Sequence, residues 1–297
     1  MPRRLVSSVV AVLALTACGT ADGAATINGV EIRRADLEQT VTDFVTIGEA
    51  QSNNGVVDTE TVRSLLTSLI RAEAINQVIS ASGEEVTQND LDSAREQLAE
   101  QGAEGLPDTL RELIIELNAA QSVLNRVQAP APSVIAERYG SNPKSLGMLC
   151  VRHLVVEDEA TADAARDELG NSPTDDQFAA VAGKYSTEPN ADVSGGTLEG
   201  RSGPCIGINE WQAGFDPDFV AGALSARTGV PTRPVKSSFG WHVIYIRPFT
   251  AVSESVSANL AEAAGEFLLL GLLADADVSV ASRYGRWDPL AGSVVAP

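Results

Sequence analysis

The sequence is short of the residues that catalysis most often draws on. Its 297 residues include two histidines, three cysteines and two methionines, and aromatics make up 5%. Positive charge is scarce as well: 21 Lys and Arg face 40 Asp and Glu, for a formal charge of −19, and only three of the basic residues are lysine. A nucleic-acid partner needs a basic footprint, so this balance argues against one. Anionic lipid repels such a chain for the same reason, so charge alone would not hold it at a membrane. Neither apolar run, Leu5 to Leu15 or Phe267 to Leu273, is long enough to cross about 30 Å of hydrocarbon. There is no Gly-x-Ser-x-Gly nucleophile elbow, no phosphate-cradling glycine loop and no paired-cysteine metal pattern. What is present is ordinary globular composition, 44% hydrophobic and 21% charged, in a length that suits two domains or one large one.

The first residues have the layout of an export signal, with Arg3 and Arg4 ahead of the short apolar run and then Thr16, Ala17 and Cys18. Leu15-Thr16-Ala17-Cys18 resembles the lipobox of bacterial lipoproteins. That resemblance implies a signal peptide over 1–17, lipidation of Cys18 and a short tether over 18–25. Acyl chains contribute about 0.8 kcal/mol per buried methylene, which anchors an acidic protein that charge cannot. The expected location is extracytoplasmic, on the outer face of a Gram-positive plasma membrane. Export also places the chain in an oxidising compartment, where the remaining pair, Cys150 and Cys205, is expected to form a disulfide. A zinc site made from Cys150, His153, Cys205 and His242 stands as the alternative.

The texture changes twice along the chain. Asn28-Gly29 between short alternating segments signals a hairpin. From Ala35 to about Gln128 the apolar period is helical, interrupted at Asn53-Asn54-Gly55. Thr87 with Asp90 fits a capping box, and Pro107-Asp108 opens another helix. Between Gly147 and Phe249 short strands and turns alternate with helices. Strands are expected over 149–156 and 241–247, helices over 160–169 and 174–184, and a long loop over 186–204. Helical texture returns over 257–274 as a buried core helix, followed by a turn-rich aromatic tail. The expected fold class is α+β: a unit at 147–249 inserted into a helical domain built from 26–140 and 251–297.

Both histidines fall in the inserted unit, each on an expected strand. Val151-Arg152-His153-Leu154-Val155-Val156 resembles the opening strand of the parvulin-type peptidyl-prolyl isomerases, and Phe178 to Ser186 resembles their second helix with its closing Tyr-Ser. Gly195-Gly196-Thr197-Leu198 is similar to their Gly-Gly-Asp-Leu turn. Phe215-Asp216-Pro217-Asp218-Phe219 and the stretch from Pro234 to Ile244 fall where they carry a hydrophobic-Pro-Phe segment and the closing strand. About a third of the chain is covered. The helical flanks resemble, in architecture, the chaperone portions of exported foldases of the SurA and PrsA type.

The resemblance implies a small antiparallel sheet with surrounding helices and isomerisation of X-Pro bonds in unfolded exported clients, with no cofactor and no metal. It implies that His153 and His242 form the floor of the site, with Glu188 where relatives carry Cys or Asp. Leu198, Phe215, Phe219 and Phe239 would line the pocket for the prolyl ring. Three departures stand out: Thr197 in place of the turn aspartate, a longer stretch from Gly196 to Phe215, and Glu188 itself. Glu157-Asp158-Glu159 after the first strand is acidic, so recognition of a phosphorylated residue next to proline is not expected. The alternative to an isomerase is a holdase whose parvulin-like unit only binds.

Overall fold

A computed structural model describes residues 23–297; the expected signal segment, Cys18 and the tether up to residue 22 lie outside the described residues. The tether over 18–25 is corrected at its end, because Gly23–Ile27 forms strand β1 and Ala24 and Ala25 are buried. β1 turns at Asn28-Gly29 into β2 (Val30–Arg33). Both turn residues have positive φ, 50° and 83°, as a two-residue type I′ hairpin requires.

Helix α1 (Arg34–Thr46) follows, then β3 (Ser52–Asn53) and β4 (Val56–Val57), so the Asn54-Gly55 interruption is a second tight hairpin. Helices α2 (Thr59–Ala81), α3 (Gln88–Glu100), α4 (Asp108–Asn125) and α5 (Pro132–Ser141) complete the first helical segment. The Thr87–Asp90 capping box forms at the start of α3, with both reciprocal hydrogen bonds made.

The inserted unit opens with β5 (Met148–Val156), α6 (Glu159–Leu169) and α7 (Asp175–Tyr185), the last capped by a Thr174–Gln177 box. The expected loop over 186–204 is corrected: it contains α8 (Ala191–Ser194). Beyond it come β6 (Cys205–Gly207), α9 (Ile208–Gly214), α10 (Pro217–Ser225), β7 (Val235–Ser237) and β8 (Gly240–Ile246). The sheet order is β6-β5-β8-β7, antiparallel throughout.

Cys150 and Cys205 face each other in the β5–β6 register and form a disulfide. The bridge spans 55 positions, for which loop entropy gives about 4 kcal/mol. It engages both sulfurs, which leaves the zinc alternative without thiolate ligands. The longer stretch after Gly196 is therefore built in, held as an edge strand and a short helix against the opening strand.

Helix α11 (Phe249–Asp275) starts earlier than the apolar pattern indicated and bends at Ala263, whose φ and ψ are −148° and 55°. It packs on α2, α4 and α5, and also on β5, β6 and α9. Buried Asn259 donates to the carbonyl of Cys205. Gly147, with φ of 73°, lets the entry to β5 lie against α11, where an added Cβ would collide with the carbonyl of Phe267. The chain ends in β9 (Val278–Val280), which pairs with β1, and a hairpin of β10 (Arg286–Asp288) and β11 (Ser293–Val295).

Side chains alternate across β5 and β8, and the two faces of the sheet join different cores. Leu154, Val156, Val243 and Tyr245 pack with Phe178 and Ala162 beneath α6 and α7. Val151, Ile244 and Ile246 join a larger cluster that runs through α11 to α2 and β1.

Candidate active site

His153 pairs with Ile244, and Val155 with His242, in the β5–β8 register. The two histidines are therefore diagonal neighbours on the same face as Val151 and Ile246, at the end where that face leaves the core. Both are buried, 5% and 4% exposed. A buried imidazole needs partners for its ring nitrogens, and each finds the other: Nδ1 to Nδ1 is 3.2 Å, with the rings 5.5 Å apart.

His242 Nε2 lies 2.7 Å from Ser237 Oγ across the β7–β8 hairpin, and the same oxygen accepts from the Phe239 N–H. Burial pushes the His242 pKa down to about 4, with the neighbouring His153 acting in the same direction. Glu188 Oε2 lies 3.0 Å from His153 Nε2. The adjoining imidazole holds the Glu188 carboxyl below the usual range, against the effect of partial burial.

An ionised carboxylate only accepts hydrogen bonds, so in a neutral pair the network runs one way. Ser237 donates to His242 Nε2, His242 Nδ1–H donates to His153 Nδ1, and the remaining imidazole proton on His153 Nε2 faces Glu188. Glu188 is aimed by the chain that carries it. The Thr187 N–H donates to the Val155 carbonyl, and Ser186 Oγ accepts from the Val155 N–H, so the segment after α7 is fastened to the end of β5.

Above the histidines lies a cavity of about 390 Å³ lined by His153, Val155, Glu188, Leu198, Gly214, Phe215, Asp216, Phe219, Ser237, Phe239 and His242. Every residue singled out from the sequence for catalysis or ring binding meets there. Phe219 stands edge-on to both imidazoles, at 5.3 and 4.9 Å. Phe215 packs on Trp211 at 4.2 Å, and Trp211 is fixed by its indole N–H to the Ile206 carbonyl. Phe239 forms the rim and is 78% exposed. Leu198 is brought in because Gly196, at φ 72°, lies against β5 and accepts from the His153 N–H, while the Leu198 N–H donates to Val151.

Sequence reading overlooked Asp216 and Ser237. Asp216 caps α10 through the N–H groups of Asp218 and Phe219, and its other oxygen accepts from the N–H and hydroxyl of Ser238. One carboxylate thus ties the helix bearing Phe219 to the turn bearing Phe239, and the Ser238 bonds hold its carboxyl below the usual range. Asp216-Pro217 was the available signal, an N-cap before proline at the first helical position. Ser237 carried none, because its role depends on strand pairing.

Arg152, on the opposite face of β5, organises the turn. Its guanidinium donates to the carbonyls of Ser194 and Gly195, to Thr197 Oγ1 and to Asp175. Asp175 also receives a two-point contact from Arg247. Burial opposes ionisation of Asp175, yet the two guanidinium groups hold its carboxyl below the ordinary value.

A buried histidine pair lies beneath an aromatic cavity on a four-stranded antiparallel sheet, the arrangement that the sequence resemblance implies. Residues 155–248 match the family model of the rotamase, or PPIC-type PPIase, domain. The chain is similar to foldase protein PrsA 4 of Bacillus cereus, 31% identical over 118 residues, covering 38% of each chain. It is also similar to PrsA of Geobacillus sp., 23% identical over 270 residues, covering 85% of this chain and 84% of the other. In the first of these matches the chain spans little more than a third of its relative's length. A crystal structure of PrsA from Bacillus subtilis aligns with 84% of this chain and 91% of that one, at 18% identity and a TM-score of 0.29.

Proposed function

We propose that this protein is a lipid-anchored extracytoplasmic foldase that isomerises X-Pro bonds in unfolded exported proteins and holds those clients in its helical part. The observation that carries the reading is the convergence of His153, His242 and Glu188 beneath one cavity walled by Leu198, Phe215, Phe219 and Phe239. Rotation about an X-Pro bond meets a barrier of about 18–20 kcal/mol because amide resonance must be lost. No nucleophile is needed; the site has only to bind the twisted amide better than the planar one, and each 1.36 kcal/mol of preference gives about tenfold.

The aromatic walls take the prolyl ring and exclude water. The planar amide places more negative charge on its carbonyl oxygen than the twisted one does, so the Glu188 carboxylate facing that oxygen penalises the planar state. His153 and His242, locked in one hydrogen-bonded arrangement, give the carboxylate and the ring a fixed floor. Fixed dipoles cost no reorganisation during the reaction.

Client holding is supported by a separate cavity of about 430 Å³ in the helical part, whose lining includes Leu69, Leu91, Leu113, Leu117, Glu73 and Glu116. Membrane attachment is supported by the Leu15–Cys18 sequence, and mass analysis of the N-terminal peptide for an acylated Cys18 tests it.

Exchange NMR on a short Ala-Pro peptide tests the catalytic reading. Added protein should broaden the cis and trans signals, and a folded His153→Ala/His242→Ala variant should not. Absence of broadening at high enzyme concentration, with client binding intact, would leave the holdase.

A further inference from the structure

A second concavity, remote from the histidines, has the opposite electrostatic character. It occupies about 480 Å³ between α6 and the segment joining α10 to β7, and it is lined by Arg166, Arg227 and Arg233 together with Ser225, Thr232 and apolar residues such as Pro231. No carboxylate lines it. The setting makes this unusual: acids outnumber bases 40 to 21 in the chain, yet from Phe219 to Ser253 there is no Asp or Glu at all.

Several arginines elsewhere find carboxylates, although among the described residues Arg71, Arg138, Arg201 and Arg283 make no ion pair. Arg63, Arg95, Arg126, Arg152, Arg247 and Arg286 are all in ion pairs. Among the described residues Arg166, Arg227 and Arg233 are in none. Arg166 Nη2 bonds the neutral Asn171 side chain, and its Nε is buried without a partner. Arg227 and Arg233 line the hollow from exposed positions, while the Arg166 Nε is a buried donor without a partner, which is costly.

We infer that this hollow is an anion site for a phosphate group, either a free phosphate or the phosphodiester of a lipid headgroup. A single carboxylate offers two oxygens and one charge, which one arginine fork satisfies. A phosphate offers more acceptor oxygens and up to two charges, which matches several forks at once. The same region places Pro231 and Val230 beside the arginines, so an apolar portion next to the phosphate is accommodated. The site is distinct from the prolyl pocket and shares no lining residue with it.

The test uses the chain from Gly19 onward, which keeps every described residue. Inorganic phosphate is titrated against sodium chloride at matched ionic strength and followed by amide shifts and the thermal midpoint. Phosphate should shift residues around 225–235 and raise the midpoint beyond chloride. Arg227→Gln/Arg233→Gln should weaken binding by about tenfold or more through loss of charge-assisted bonds, and Arg71→Gln, an arginine elsewhere on the surface, should leave it unchanged. The midpoint in chloride reports whether the double variant is folded, and Arg227→Gln alone gives the same readout if it is not. Co-sedimentation with phosphatidylglycerol vesicles, lost in the same variant, would assign the lipid source; a response to inorganic phosphate only would assign the free one. If neither response depends on Arg227 and Arg233, the inference is overturned.

Discussion

The two faces of the β5–β8 sheet are built from the same two strands and do opposite work. Toward α6 and α7 the sheet is covered by a packed apolar cluster: Phe178 stacks on Tyr245 at 4.9 Å, and the Tyr245 hydroxyl donates to the Pro173 carbonyl. Toward α10 the packing stops short, and a cavity opens where two imidazoles replace aliphatic side chains. A packed face supplies stability, whereas an incompletely packed face with polar groups gives up stability for a place to bind. The disulfide and the Asp216 cap brace the open side from its edges.

The sharpest test of this contrast pairs two phenylalanines. Phe178→Ala removes a fully buried ring from the packed face and should cost about 3–5 kcal/mol of unfolding free energy, read from urea midpoints. Phe219→Ala removes a ring that already borders a cavity, so less packing is lost and the stability cost should be smaller. Prolyl turnover should nevertheless fall by about tenfold or more, equivalent to roughly 1.4 kcal/mol of binding to the twisted state. If both variants destabilise equally and turnover follows only the folded fraction, the faces do not differ in role.

Acid should separate the faces as well. The His242 pKa moves from 6.5 in the unfolded chain to about 4 in the fold, so between these values the unfolded state binds more protons. Stability from this group is complete above about pH 6.5 and is lost progressively toward pH 4. Asp175 on the packed face has its pKa lowered from 3.8, so its contribution persists until the pH falls below that value. Wild type should therefore lose urea resistance between pH 6.5 and 4 more steeply than His242→Gln, and Asp175→Asn should change the profile only at lower pH. Identical slopes for wild type and His242→Gln would remove the histidine from the account.

Which features could be read in advance follows from how local their causes are. The Asn28-Gly29 hairpin and the Thr87 capping box are set by residues within a few positions, and they form as the sequence indicates. The strand bearing His153 announced itself by its run of branched residues. Helix α9 did not, because a seven-residue helix carries little periodicity, and its Trp211 is placed by the disulfide-held strand before it. Asp216 and Ser237 serve the site through partners 22 and 5 residues away, distances that only the folded sheet defines. Acid-free residues 219–253 were visible as composition, but their meeting with Arg166 across the fold was not.

Thr197 offers the finest test, because it stands where the parvulin resemblance places an aspartate. In this chain the Arg152 guanidinium already has a carboxylate in Asp175, and Thr197 Oγ1 accepts from its other arm. The turn is therefore held without an acid at 197, and the departure need not weaken the site. Thr197→Asp should change stability by no more than about 0.5 kcal/mol and turnover by less than about twofold. In an Asp175→Asn background the same substitution should recover part of the stability lost, because it returns a carboxylate to Arg152. A double-mutant cycle measures that coupling directly. A large gain in turnover from Thr197→Asp alone would instead mean that the threonine limits catalysis, and that the packed face reaches through Arg152 into the pocket it supports.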